Sequence, residues 1–214
     1  MKTVIALSIA GGLCFSLAHA QEVKFAVGPQ VGIAISAFPD PWKDYYGTGF
    51  GGGGHADANI APFFSARLNV EYYSFGSDKD KLKTVVAPQF GITASDITSI
   101  SGGNISVFIV SMEALGKIPT KSIVTPYALF GVGIHSINLS DLSGSDRLGR
   151  STTVTSDDIK FNGGTRLGLD FGFGLEYRLN RMVSLSTEFK YVLVFTENNT
   201  SAAMPITIGA NFHL

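Results

Sequence analysis

The chain has 214 residues, of which 45% are hydrophobic, 11% aromatic and only 15% charged, against roughly 25% charged in an average soluble domain. That composition excludes intrinsic disorder and argues against an ordinary cytosolic enzyme. Sixteen Lys and Arg against 17 Asp and Glu leave a formal net charge of −1, so there is no basic field for nucleic acid.

The first twenty residues read as a signal peptide. Lys2 supplies a positive start, residues 4–15 are almost wholly apolar, and Ala18-His19-Ala20 is a small-x-small cleavage pattern. The apolar run is too short to span a bilayer as a helix. Leu13 precedes Cys14, where a lipoprotein signal wants a small residue. Cys14 is the one cysteine, so cleavage after Ala20 leaves a domain, residues 21–214, with no disulfide, thiol nucleophile or cysteine metal site.

Beyond that segment the pattern is period-2 alternation, the signature of strands that face lipid on one side. Residues 24–36 alternate Phe25, Val27, Val31, Ile33 and Ile35 with Ala26, Gly28, Gln30 and Gly32. Residues 50–60 are Gly-rich and polar at His55, Asp57 and Asn59. Residues 64–75 set Phe64, Ala66, Leu68, Val70 and Tyr72 against Ser65, Arg67, Asn69 and Glu71. Residues 104–115 are apolar on both faces over part of their length, which leaves their faces open. Residues 125–135 alternate Ala128, Phe130, Val132 and Ile134 with Tyr127, Gly131 and Gly133. Residues 164–178 carry Leu167, Leu169, Phe171, Phe173, Leu175 and Tyr177 opposite Arg166, Asp170, Glu176, Arg178 and glycines. Residues 183–195 carry Val183, Leu185, Phe189, Tyr191, Leu193 and Phe195 opposite Ser184, Ser186, Glu188 and Lys190. The last segment sets Met204, Ile206, Ile208, Ala210, Phe212 and Leu214 against Thr207, Gly209, Asn211 and His213.

That makes eight strands, an even number, as a bacterial single-chain barrel requires. Their connections alternate long and short. Residues 37–49, 74–103 and 136–163 form the long ones, with a modest fourth at 196–202; the short ones lie near Ala61-Pro62, at 116–122 and at 179–181. Transmembrane barrels have this segregation, long loops outside and short periplasmic turns, and a soluble sandwich has no reason for it. The fold predicted is an all-β, eight-stranded antiparallel up-and-down transmembrane barrel.

With even positions of 164–178 and 183–195 pointing inward, opposed residues must have numbers summing to an even value. This predicts an odd-length turn centred on Asn180 and a cross-strand ion pair between Asp170 and Lys190. An eight-stranded barrel is just wide enough to be filled by side chains. Arg67, Glu71, Arg166, Asp170, Glu176, Arg178, Glu188 and Lys190 would fill it as four basic and four acidic groups. Pairing makes such burial tolerable, so a structural network plugging the lumen is favoured over a narrow conducting path, which the glycines at 51–54 would line. Trp42, Tyr45, Tyr46 and Tyr72, with Phe38, Tyr73 and Phe75, are placed at the membrane rim, where amphipathic rings settle.

The chain end Thr207-Ile208-Gly209-Ala210-Asn211-Phe212-His213-Leu214 resembles the C-terminal signal read by the outer-membrane barrel assembly machinery, with Gly209, Phe212 and Leu214 at its marked positions and Leu in place of the commoner final Phe. The stretches 125–133 and 171–179 resemble recurring segments of OmpA-like and Opa-like eight-stranded outer-membrane barrels, and the likeness covers about residues 22–214. It implies a bacterial outer membrane with its lipid and lipopolysaccharide, delivery by periplasmic chaperones and the assembly machinery, and external loops, here 74–103 and 136–163, that contact an extracellular partner.

The sequence carries no P-loop, zinc pattern, Gly-x-Ser-x-Gly elbow or cofactor motif. Some eight-stranded barrels are lipid A-remodelling enzymes with His and Ser at the rim. Here His135 and Ser136 are adjacent, so on a strand they face opposite ways and cannot form a base–nucleophile pair. His55 and Asp57 share a face and read as a satisfied lumen pair. Asp141, Asp146, Asp157 and Asp158 read as a solvated loop, not a cation site. The function expected is therefore non-enzymatic: a structural or surface-interaction, adhesin-like barrel, with a small-pore channel as the alternative and a lipid-modifying enzyme behind both.

Overall fold

A computed structural model of the chain describes residues 23–37, 44–91, 93–147, 149, 151–155, 163–195 and 200–214. The signal segment, Phe38, Trp42, Asp157 and Asp158 lie outside the described residues. Eight strands close a barrel: β1 (Lys24–Ala37), β2 (Tyr46–Ala61), β3 (Phe64–Ser77), β5 (Ile105–Lys117), β6 (Val124–Leu139), β9 (Gly164–Arg178), β10 (Val183–Phe195) and β11 (Thr200–His213). Each pairs antiparallel with its sequence neighbour in the wall, and β1 closes on β11 from Ala26↔His213 to Ala37↔Ala202. Closure leaves no edge with unpaired amides, the condition for strands to cross hydrocarbon.

At 13 to 16 residues the strands exceed the ~10 that a tilted crossing needs. β9 and β10 have the predicted limits. β2 begins four residues earlier, at Tyr46, and β6 runs four residues further, to Leu139, so the wall stands taller at the long-loop end. Alternation sorts the faces as the sequence implies: Leu68, Val70, Phe130, Val132, Leu167 and Phe173 are exposed on the outside, while Arg67, Glu71, Asp170, Glu188 and Lys190 are buried inside. The strand whose faces were open also resolves. In β5, Ile105, Val107, Ile109, Ser111, Glu113 and Leu115 turn inward, and Phe108 and Met112 outward.

The turn between β9 and β10 has odd length, but its centre is Arg181, not Asn180. Asn180 Oδ1 accepts the amides of Met182 at 2.8 Å and Val183 at 2.9 Å, and the Leu179 and Asn180 amides both donate to the Val183 carbonyl. The Asn180 side chain thus opens the turn and displaces its apex by one residue. The shift moves every partner by two: Lys190 opposes Gly172, and Asp170 opposes Val192. The expected Asp170–Lys190 pair does not form.

The long connections differ from plain loops. Residues 78–104 contain helix α1 (Lys79–Phe90), a 3-10 turn (Ala94–Asp96) and β4 (Ile97–Gly102); residues 140–163 contain β7 (Leu142–Asp146) and β8 (Ser151–Val154). The three short strands pair as β4-β7-β8, so the two connections fold together as one lobe. Leu82, Ala87, Ile97, Ile100 and Leu142 form its small core. Asp78 Oδ1 accepts the amides of Asp80 and Lys81 at 3.2 and 3.3 Å, capping α1. Asp146, expected in a solvated loop, is buried in β7.

Candidate functional site

The lumen divides into two layers along the barrel axis. In the layer nearer the short turns, inward positions of β2, β3, β5 and β10 deliver charge. The Arg67 guanidinium grips Asp57 with two parallel bonds, Nε to Oδ1 at 2.7 Å and Nη2 to Oδ2 at 3.0 Å, and its Nη1 donates to Glu188 Oε2 at 2.8 Å. Such a fork holds a carboxylate in direction as well as distance. The Lys190 ammonium donates to Glu71 Oε2 and, at 3.4 Å, to Glu113 Oε1, with Glu188 Oε1 3.8 Å away. Neutral donors complete the set: Tyr73 and Gln30 both donate to Glu71 Oε1, at 2.9 and 2.8 Å, and Tyr127 donates to Glu188 Oε2 at 2.9 Å.

Six of the eight expected lumen charges, Arg67, Glu71, Asp170, Glu176, Glu188 and Lys190, are buried. Arg178 is exposed at the turn end, and Arg166 is half-buried towards the opposite end, in register with His135. Asp57, expected in the lumen as a partner of His55, and Glu113, which was not expected there, complete the buried set. Among the described residues six carboxylates and two cations are therefore buried in the barrel, not a balanced four and four. Glu113 escaped the sequence reading because the faces of its strand could not be assigned. The signal available was Arg67, which stands directly opposite it.

Asp170 lies beside His135, Oδ1 to Nε2 at 3.5 Å, with both side chains wholly enclosed. His55 bonds to Asn211 Oδ1 at 2.8 Å while Asp57 goes to Arg67, so the two share a face but not a bond. His135 points inward and Ser136 outward, as strand parity requires.

In the second layer, nearer the lobe, the inward residues are apolar. Tyr46, Tyr73, Phe75, Ile105, Val107, Ile109, Ile137, Val192 and Val194 pack as one cluster. A cavity of 20 Å³ remains among them, room for about one water. Gly51 of β2 serves this packing, since a Cβ there would strike the Tyr73 ring, whereas one at Gly53 would strike the Val70 carbonyl in the wall. Tyr46 is accordingly no rim residue; it is 3% exposed and its hydroxyl donates to the Gly103 carbonyl at 2.9 Å. Tyr45 bridges the lumen cluster and the lobe core. Tyr73 and Phe75 are also inward, by the parity that sends Tyr72 out to half exposure.

A closed eight-stranded barrel with an apolar outside and an ionic inside has a known counterpart. A family described as the outer membrane protein beta-barrel domain matches residues 5–213. The chain belongs to this family. No curated protein matches it. Among solved structures, Neisserial surface protein A is 15% identical, with 90% of this chain and 99% of that one covered at a TM-score of 0.54. A major outer membrane protein from Thermus thermophilus is 16% identical, covering 91% and 100% at a TM-score of 0.55. These likenesses show the fold. This outer-membrane barrel is a protein of the bacterial outer membrane, within its lipid and lipopolysaccharide, and resembles the OmpA-like and Opa-like barrels.

Proposed function

We propose that the barrel is a non-conducting, non-catalytic platform that presents its lobe outside the cell in a structural or adhesin-like role. Closure of the lumen carries this reading: ion pairs fill one layer and apolar side chains the other, leaving a 20 Å³ void in the latter. The buried network then serves stability, as paired charges in a low-dielectric interior must. With long connections outside and short turns in the periplasm, α1 and the β4-β7-β8 sheet face the exterior. Residues 1–20 act as a cleaved export signal, Gly209, Phe212 and Leu214 as the assembly signal met by periplasmic chaperones and the assembly machinery, and Tyr72 as a rim aromatic.

Cells displaying the full chain are compared with cells in which residues 79–102 and 141–155 are each replaced by a tight turn. Loss of binding to host or envelope components with the barrel still heat-modifiable on gels supports the platform. Stable single-channel openings of the full chain in planar bilayers would replace it with the small-pore reading.

A further inference from the structure

The turn end of the barrel, opposite the lobe, opens on a cavity of 1160 Å³ whose charged lining is mostly of one sign. Lys24 begins β1, Lys117 ends β5, Arg178 ends β9 and Arg181 stands in the next turn; all four line the cavity. Strand parity sends Lys24, Lys117 and Arg178 inward, away from lipid. Among the described lining residues Glu176 carries the one carboxylate side chain. It is already committed: it accepts the Ser184 hydroxyl at 2.7 Å and the Lys117 ammonium at 3.3 Å, with His213 Nε2 at 3.4 Å.

The floor is held in place. Asn59 Oδ1 accepts both the Ser65 hydroxyl at 2.8 Å and the Lys117 ammonium at 3.0 Å, and the Lys117 side chain is 11% exposed. Above that floor Lys24, Arg178 and Arg181 are exposed and make no side-chain ion pair among the described residues. Three uncommitted cations thus line one concave space that is larger than a bare ion needs. Two are guanidinium groups, whose planar forks match the oxygens of a phosphate.

We propose that this vestibule binds a phosphate-bearing anion at the periplasmic end of the barrel. Two sources share that chemistry, a phospholipid headgroup from the adjacent leaflet and a soluble phosphate compound. The site is independent of whatever the lobe contacts. A competing account is that the cations merely offset the excess of buried carboxylates deeper in the lumen, and the test separates the two.

The full chain, refolded in a zwitterionic detergent, is titrated with inorganic phosphate at constant ionic strength and followed by amide NMR. The expected result is saturable shifts around Lys117, Arg178 and Arg181, weakened about tenfold or more in the double variant Arg178→Gln, Arg181→Gln, as losing charge-assisted bonds implies. In a second arm, nanodiscs of a phosphorus-free galactolipid, in phosphate-free buffer, are prepared with and without phosphatidylglycerol. If the same amides shift only when that lipid is present, the headgroup is the source; if they respond to free phosphate alone, the source is soluble. No saturable shift in either arm overturns the proposal. So does a folded double variant that responds like the parent, or one that loses stability while its phosphate response is unchanged.

Discussion

Gln30, Asp57, Arg67 and Glu188 fill one layer of the lumen, and Tyr73, Phe75, Ile105 and Val192 fill the other. β3, β5 and β10 each deliver residues to both, with one inward parity along each strand. The ionic layer depends on partners that cross the barrel: Arg67 on β3 meets Glu188 on β10, and Lys190 on β10 meets Glu71 on β3. Its stability is specific to those residues, because a buried charge without its partner is costly. The apolar layer depends on volume, and any side chain of the right size and shape serves. The contrast teaches that a narrow barrel can be closed by electrostatic matching or by packing, with different sensitivities to substitution.

Removing one pivot of the ionic layer has the largest expected effect. Lys190→Met leaves Glu71, Glu113 and Glu188 facing one another without their shared cation, and should lower unfolding stability by roughly 3–5 kcal/mol. Urea unfolding of the refolded barrel measures it, and adding Glu71→Gln should recover part of the loss. A null effect for Lys190→Met would make the charges interchangeable with the apolar layer.

Phe75→Ala tests the other layer. Phe75 is 1% exposed, so the expected loss is about 3 kcal/mol from lost transfer and the cavity left behind. The enlarged void should also show as a measurable leak in planar bilayers if this layer seals the lumen. A smaller contrast lies in the wall itself. Gly53→Ala drives a Cβ into the Val70 carbonyl, whereas Gly116→Ala meets nothing within 4 Å. The first should cost about 1–3 kcal/mol and the second below about 0.5 kcal/mol, read from the same unfolding curves.

The smallest effect is in the lobe. The Thr93 hydroxyl and amide both donate to Asp96 Oδ2, at 2.6 and 3.1 Å, and hold the Asp96 carboxyl below the usual carboxylate range. A carboxyl depressed in the folded state contributes stability above its unfolded value, and that contribution is lost as pH falls through the folded one. The Thr93 amide resonance should therefore titrate below the usual range and cease to do so in Asp96→Asn. A midpoint at the ordinary value would mean that the cap does not form.

Legibility follows the physics of each layer. Where the lumen is ionic, alternation between polar and apolar faces is sharp, and β9 and β10 were read to the residue. Where the lumen is apolar, inward Ile105, Val107 and Ile109 look like outward Phe108 and Val110, so β5 had no readable faces and Glu113 was missed. Tyr46 and Tyr73 were misplaced for the same reason: an aromatic near a loop fits a lipid rim or a lumen plug equally well. The lobe was unreadable because its core draws on segments some forty residues apart, each too short and weakly patterned to declare itself.

Sequence alone determined the closed antiparallel barrel, its strand count, the parity of its faces and the compartment, because a period-2 pattern and alternating loop lengths are local properties. Tertiary structure decided which charges meet. Parity says that Asp170 and Lys190 point inward, but the stagger set by one displaced turn apex puts Val192 opposite Asp170 and sends Lys190 across the lumen to Glu71. Height along the axis is a sum over turns, tilts and registers around the whole barrel, and no single segment encodes it.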